Sequence, residues 1–90
     1  MVGKIIGYKQ WTDLRKNIKP EEKKEDKTYF CIHEENQDSW VGDVGTILQI
    51  KDSKLKECGF EVSEEIIGLK VLIDTNTFNG YIFGNHIVKI

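Results

Sequence analysis

Apolar and polar positions alternate most clearly at the C-terminal end of the chain. Leu69-Lys70-Val71-Leu72-Ile73 predicts a strand. Asp74 to Gly80 reads as a loop, with Asn79-Gly80 a strong turn signal. Tyr81-Ile82-Phe83 opens a further strand, and His86-Ile87-Val88-Lys89-Ile90 completes it. Residues 66–90 therefore predict a β-hairpin. Ile82, Val88 and Ile90 face inward and Tyr81 and Phe83 outward, provided register holds through Gly84-Asn85. An isolated hairpin is marginal in water, so the rest of the chain must cover its apolar face.

Upstream, Lys4-Ile5-Ile6-Gly7-Tyr8-Lys9 carries the β-branched and aromatic residues of a half-buried strand. Gly7 marks a bulge or a close backbone approach, and Trp11 lies where the strand ends. Residues 12–27 are polar and hold the only proline, Pro20, at a position compatible with the first turn of a short helix, but a loop is the preferred reading. With few apolar anchors they predict a solvated, mobile loop. Thr28 to His33 is the second strand, with Phe30 and Ile32 on one face and Tyr29, Cys31 and His33 on the other. Trp40 to Ile50 predicts a third strand bent at Gly42 and Gly45. Asp52 to Gly59 predicts a short helix capped by Asp52 or Ser53 and ended by Gly59, with Leu55 and Cys58 toward the core. Ser63 caps a second turn through Ile66. The expected fold is mainly β: a single domain over 1–90, five short strands closed into a small OB-fold-like barrel, with one short helix between the third and fourth strands. An SH3-like barrel is the competing architecture.

Composition narrows the class. The 90 residues are 39% hydrophobic and 31% charged, as in a globular chain with a wet surface. No apolar run approaches the ~20 residues of a membrane helix. The first residues lack the pattern of a signal peptide, so a cytoplasmic setting is expected. Two cysteines, Cys31 and Cys58, do not make a disulfide framework. Net charge is −2, but it is unevenly spread. Lys4 and Lys9 stand without acids near the start, whereas residues 28–50 hold Glu34, Glu35, Asp38 and Asp43 with no lysine or arginine. A polyanion would approach the ends rather than the middle.

Candidate chemistry is sparse. Cys31, His33, Cys58 and His86 have the ligand types of a zinc site but not its paired spacing. Cys31 beside His33 lacks the orienting group and oxyanion site of a thiol nucleophile. Glu34-Glu35 and Glu64-Glu65 diverge along extended chain, and no phosphate-binding glycine loop is present. The chain is read as a non-enzyme, with no cofactor and no metal.

The aromatic set carries more. Tyr8, Trp11, Tyr29, Trp40, Phe78, Tyr81 and Phe83 are many rings for so small a chain, and some must fill the core. Tyr29, Tyr81 and Phe83 point outward by alternation, and Trp11 and Phe78 lie in loops flanking one face. With Lys9 and Lys70 nearby they would form a stacking platform for unpaired bases.

Gly3 to Lys9, Thr28 to Ile32, Ile67-Gly68-Leu69-Lys70-Val71 and Thr77-Phe78-Asn79-Gly80-Tyr81 run in a familiar order. The chain resembles the small OB-fold, single-stranded-DNA-binding-like proteins of Gram-positive phages, plasmids and conjugative elements. The resemblance implies a non-enzymatic barrel that binds single-stranded DNA, with homodimerisation among the expectations. It carries Tyr8, Lys9, Tyr29, Phe78 and Tyr81 over as contacts. The acidic stretch from Glu34 to Asp43 departs from that pattern, since a phosphate groove should not be lined with carboxylates. It motivates an alternative: a protein-binding factor that docks on a host enzyme through Glu34, Glu35 and Asp38 or a barrel edge.

Overall fold

The computed structural model describes residues 1–35 and 45–90. Five strands are present: β1 (Val2–Trp11), β2 (Lys27–Glu34), β3 (Thr46–Lys51), β4 (Lys70–Phe78) and β5 (Tyr81–Lys89). Helix α1 (Asp52–Glu57) lies between β3 and β4, as the sequence predicts, and 3₁₀ turns span Pro20–Glu22 and Glu64–Ile66. The first half of the predicted third strand, including Trp40, lies outside the described residues.

The strands surround the core in the order β1-β2-β3-β5-β4. The expectation of five short strands closed into a small OB-fold-like barrel needs correction in how the wall is made. First, β1 has 10 residues and β4 and β5 have 9 each, while only β3, with 6, is short. Second, the wall is not a continuous ladder, because β3 and β5 meet through one parallel bridge, Gln49 to Phe83. The opposite seam is firmer: Val2, Gly3 and Lys4 pair with Leu72, Val71 and Lys70. Met1 extends it, its amino group donating to the Ile73 carbonyl and its carbonyl accepting from the Ile73 amide.

Alternation builds the core. Thr28, Phe30 and Ile32 of β2 are buried while their neighbours are half-exposed. Ile5, Leu48, Ile50, Val71, Ile73 and Ile87 complete the strand contribution. Burying each such side chain stabilises the fold by about 1.5–3 kcal/mol. Leu55 of α1 and Phe60 close one end, and the Phe60 ring meets Phe30 edge-on at 6.2 Å. After α1 the Phe60 amide donates to the Leu55 carbonyl and the Gly59 amide to that of Lys56. This pattern ends a helix through a left-handed residue, here Gly59, and packs the two apolar residues that flank it.

Two bulges set which side chains face out. In β1 the register steps between Ile5 and Gly7, so Tyr8 pairs with buried Phe30, and Lys9 and Trp11 pair with Tyr29 and Lys27. In β5 it steps at Asn85, between the pairs Asp74–His86 and Thr75–Gly84. That step turns Ile87 into the core and leaves Ile90 60% exposed, correcting the inward assignment of Val88 and Ile90. Asp74 to Phe78, expected as loop, is the polar arm of the hairpin. Its turn is Asn79-Gly80, with φ of 51° and 81°, as a two-residue hairpin turn with two left-handed positions requires.

The helix start also differs from expectation. Lys51 occupies the cap position without a side-chain cap bond, and the Asp52 carboxylate accepts from the Thr28 hydroxyl at 2.9 Å. Ser63 does cap its turn, accepting from the Glu65 amide.

Candidate nucleic-acid interface

The pairing register arranges the outer face of β1, β2 and β3 as rows. One row runs Trp11, Lys27, Lys51. The next runs Lys9, Tyr29, Gln49 and, across the single bridge, Phe83. A third runs Gly7, Cys31, Ile47. Neighbouring strands are ~4.8 Å apart, so the second row spans about 14 Å. Rings and ammonium groups therefore alternate on β1 and β2, and Lys51 and Phe83 extend the first two rows to a surface the width of a few nucleotides.

The Lys27 ammonium lies 4.7 Å from the Trp11 ring centre and 5.3 Å from that of Tyr29. Such contacts hold a cation over a ring face by the ring quadrupole. A shallow hollow of about 480 Å³ opens beside these rings, lined by Tyr8, Lys9, Trp11, Tyr29, Cys31 and Ile47 among others. Trp11 and Tyr29 are half-buried, and Ile47 is exposed.

A second hollow, of about 300 Å³, lies at the β3–β5 seam. It is lined by Lys24, Glu25, Lys27, Gln49, Lys51, Lys54, Phe83, Gly84 and Asn85. Lys27 borders this hollow and reaches over the rings of the first. Gly84 makes the seam possible, since a Cβ there would stand 2.5 Å from Ile50 Cγ1 and 3.2 Å from Ile73 Cγ2. The bulge residue Asn85 donates to Asn76 Oδ1 at 2.7 Å and accepts from Lys54 Nζ at 2.8 Å, tying the hairpin to α1.

The β1–β2 connection buttresses the same side. Asp13 is buried at 4% exposure. Its carboxylate accepts from the Arg15 guanidinium (2.7 Å for the shortest contact), the Arg15 amide and the Lys24 amide. The Arg15 hydrogen bond, then that from Lys24, holds the Asp13 carboxyl well below the usual carboxylate range. Arg15 also donates to the Glu22 carbonyl, so residues 13, 15, 22 and 24 form one knot.

The sequence-predicted contacts divide into groups. Lys9, Trp11, Tyr29 and Phe83 share the outer rows. Tyr8 is turned to the Phe30 face, packs partly against the core and reaches the rim of the first hollow. Phe78 and Tyr81 face each other at the hairpin tip, 65% and 62% exposed. Lys70 stands at the β1–β4 seam, opposite Lys4 and paired with Glu35, away from the rings. Of the acidic set, Glu34 accepts from the Thr46 hydroxyl at 2.6 Å, Glu35 pairs with Lys70, and Asp38 lies outside the described residues.

Lys24, Lys27, Lys51 and Lys54 were not singled out by sequence. They come from two stretches, 24–27 and 51–54, and only the register Lys27–Lys51 would have indicated their meeting. Among the considered metal ligands, Cys58 Sγ lies 3.2 Å from His86 Nδ1, while Cys31 lines the ring hollow on another strand. Among the described residues no group of three or more His, Cys, Asp or Glu could hold a metal ion. No helix of the described residues is long and apolar enough to cross a membrane.

No family model, curated protein or solved structure matches this chain. Similarity therefore lends no support to the OB-fold-like family, or to a phage, plasmid or mobile-element origin.

Proposed function

We propose that this chain is a non-enzymatic module that binds single-stranded DNA. Unpaired bases stack on Trp11 and Tyr29, and Lys9 and Lys27 contact the adjoining phosphates. The observation that carries the reading is the alternation of Trp11 and Tyr29 with Lys9 and Lys27 in register on β1 and β2, with Lys51 of β3 next in the row. Every base has a π face, so such a surface tolerates sequence. Stacking contributes about 1–3 kcal/mol per base. The half-buried rings are already held in place, which lowers the entropy lost on binding. Glu34 and Glu35 make contacts within the chain and line neither hollow, and Glu25 is the one carboxylate among the described residues that borders the second.

The test reads Trp11 alone, in a Trp40→Phe background. Adding oligothymidine at low salt should quench its fluorescence, and raising the salt should reverse the quench. An unchanged signal at low salt, with no shift in the anisotropy of a labelled oligonucleotide, refutes the proposal.

A further inference from the structure

We infer that the lysine-lined hollow at the β3–β5 seam is a phosphate subsite, through which the bound strand continues from the rings toward α1. This rests on the reading of the ring face as a single-strand platform and extends it to the path of the backbone.

Three observations carry it. Lys24, Lys27, Lys51 and Lys54 border one hollow against a single carboxylate, Glu25, in a chain whose net charge is −2. Basic side chains are thus concentrated where the overall balance is acidic. Next, Lys27 and Lys51 stand directly opposite on antiparallel strands. Like charges so placed are destabilising. The Trp11 and Tyr29 rings relieve Lys27, but among the described residues no carboxylate pairs with Lys24, Lys27, Lys51 or Lys54. A bound anion would supply the missing compensation. Finally, Lys54 is held by Asn85 Oδ1, and Asn85 is itself fixed by Asn76. That orders one ammonium at the wall before any ligand arrives.

The ligand is a phosphodiester of the strand rather than free phosphate, because Lys27 is common to the hollow and the rings. A backbone whose bases lie on Trp11 and Tyr29 passes Lys27 and meets Lys51 and Lys54 next.

The experiment uses K51Q/K54Q in the Trp40→Phe background, with K16Q/K19Q as a charge-matched control on the exposed β1–β2 connection. Binding of an oligothymidine of about 12 nucleotides, within the ~4–16 that one small module covers, is followed by anisotropy and by Trp11 quenching. For K51Q/K54Q the slope of log affinity against log salt should be shallower by about 1.4, from ~0.7 per phosphate on single strands. Affinity should fall at low salt, while quenching at saturation is retained. K16Q/K19Q should change the slope little. An unchanged slope in K51Q/K54Q, or an equal change in the control, overturns the subsite and leaves the ring face standing. Absence of any oligonucleotide binding by the parent chain overturns both. Binding of inorganic phosphate, read by Trp11 fluorescence, that depends on Lys51 and Lys54 and is not accompanied by oligonucleotide binding replaces the strand with a free anion and overturns the assignment.

Discussion

Two seams close this sheet; two lysines oppose each other across one, and two more oppose each other in the β2–β3 pairing beside the other. At the β1–β4 seam Lys4 opposes Lys70, and beside the β3–β5 seam Lys27 opposes Lys51. The first seam is zipped by backbone hydrogen bonds from Met1 to Ile5, and Glu35 neutralises Lys70. The second is held by one bridge, has no carboxylate paired to its lysines among the described residues, and opens into a hollow. The same electrostatic problem is thus answered internally at one seam and left open to solvent at the other. A seam that only had to hold the fold together would be expected to resemble the first.

Two close-approach glycines give the largest expected effects: Gly3, which lets β1 lie against β2, and Gly84, which lets β5 lie against β3 and β4 at the open seam. A Cβ at Gly3 would stand 2.4 Å from the His33 carbonyl oxygen, and at Gly84 2.5 Å from Ile50 Cγ1. Backbone cannot move aside as a side chain can. Gly3→Ala should therefore cost about 3 kcal/mol and Gly84→Ala about 1–2 kcal/mol, in the range for overpacked sites. Urea midpoints measure both. A larger loss at Gly84 would mean that the packing of β5 on Ile50 and Ile73 gives way less readily than the β1–β2 contact at Gly3.

How much of this was legible in the sequence follows from the same geometry. The strands with one buried face could be read, because Phe30-x-Ile32 and Val71-x-Ile73 alternate and lie in the core. The Asn79-Gly80 turn and the Gly59 helix end were readable from residues that tolerate positive φ. The arm Asp74 to Thr77 was misread because it is polar on both faces. The bulge in β5 leaves no mark on the alternation that predicts facing, so the sequence assigns Val88 inward where Ile87 takes the core position. Gly7 did signal irregularity in β1, but not which neighbour would be displaced. Phe60, a lone ring in a loop, gave no period. Its signal was its place directly after Gly59, where a helix ending packs an apolar residue back on the helix. The lysine hollow could not be read at all, since it depends on register between segments far apart in sequence.

Trp11 sharpens the contrast from the open side. Its ring hosts Lys27 and would take a base, yet it lies outside the core. Trp11→Ala should weaken oligonucleotide binding by about 1–3 kcal/mol, roughly 5- to 150-fold. Anisotropy of a labelled strand reads this without tryptophan, and the urea midpoint should move far less than for Gly3→Ala. A large stability loss with unchanged affinity would make the ring a structural cover.

Asp13 tests whether the open seam needs its buttress. Asp13→Asn removes the charge that receives the Arg15 guanidinium and the Lys24 amide, and Lys24 borders the lysine hollow. The folded-state carboxyl sits below its ordinary value of 3.8, so its contribution is fully present above that pH and is lost as pH falls toward the folded value. The stability gap between parent and Asp13→Asn should thus stay constant from neutrality to about pH 4 and narrow below it. Urea midpoints across that range check the sign, and a gap that widens in acid would contradict it. Oligonucleotide affinity should fall modestly in the variant.

The smallest effects belong to the zipped seam. An exposed ion pair contributes about 0–1 kcal/mol, so Glu35→Gln and Lys70→Gln should each move the urea midpoint slightly. Glu35→Gln should cost more, because it leaves Lys4 and Lys70 opposed without an acid, whereas Lys70→Gln removes the conflict itself. Lys70→Gln should also leave oligonucleotide affinity within about twofold of the parent, with an unchanged salt slope, since a lysine that meets no phosphate releases no counterion. A slope reduced as far as one expects for a lost phosphate contact would place the strand across the β1–β4 edge. The two seams would then not differ in function, and the uncompensated lysines of the second would need another explanation.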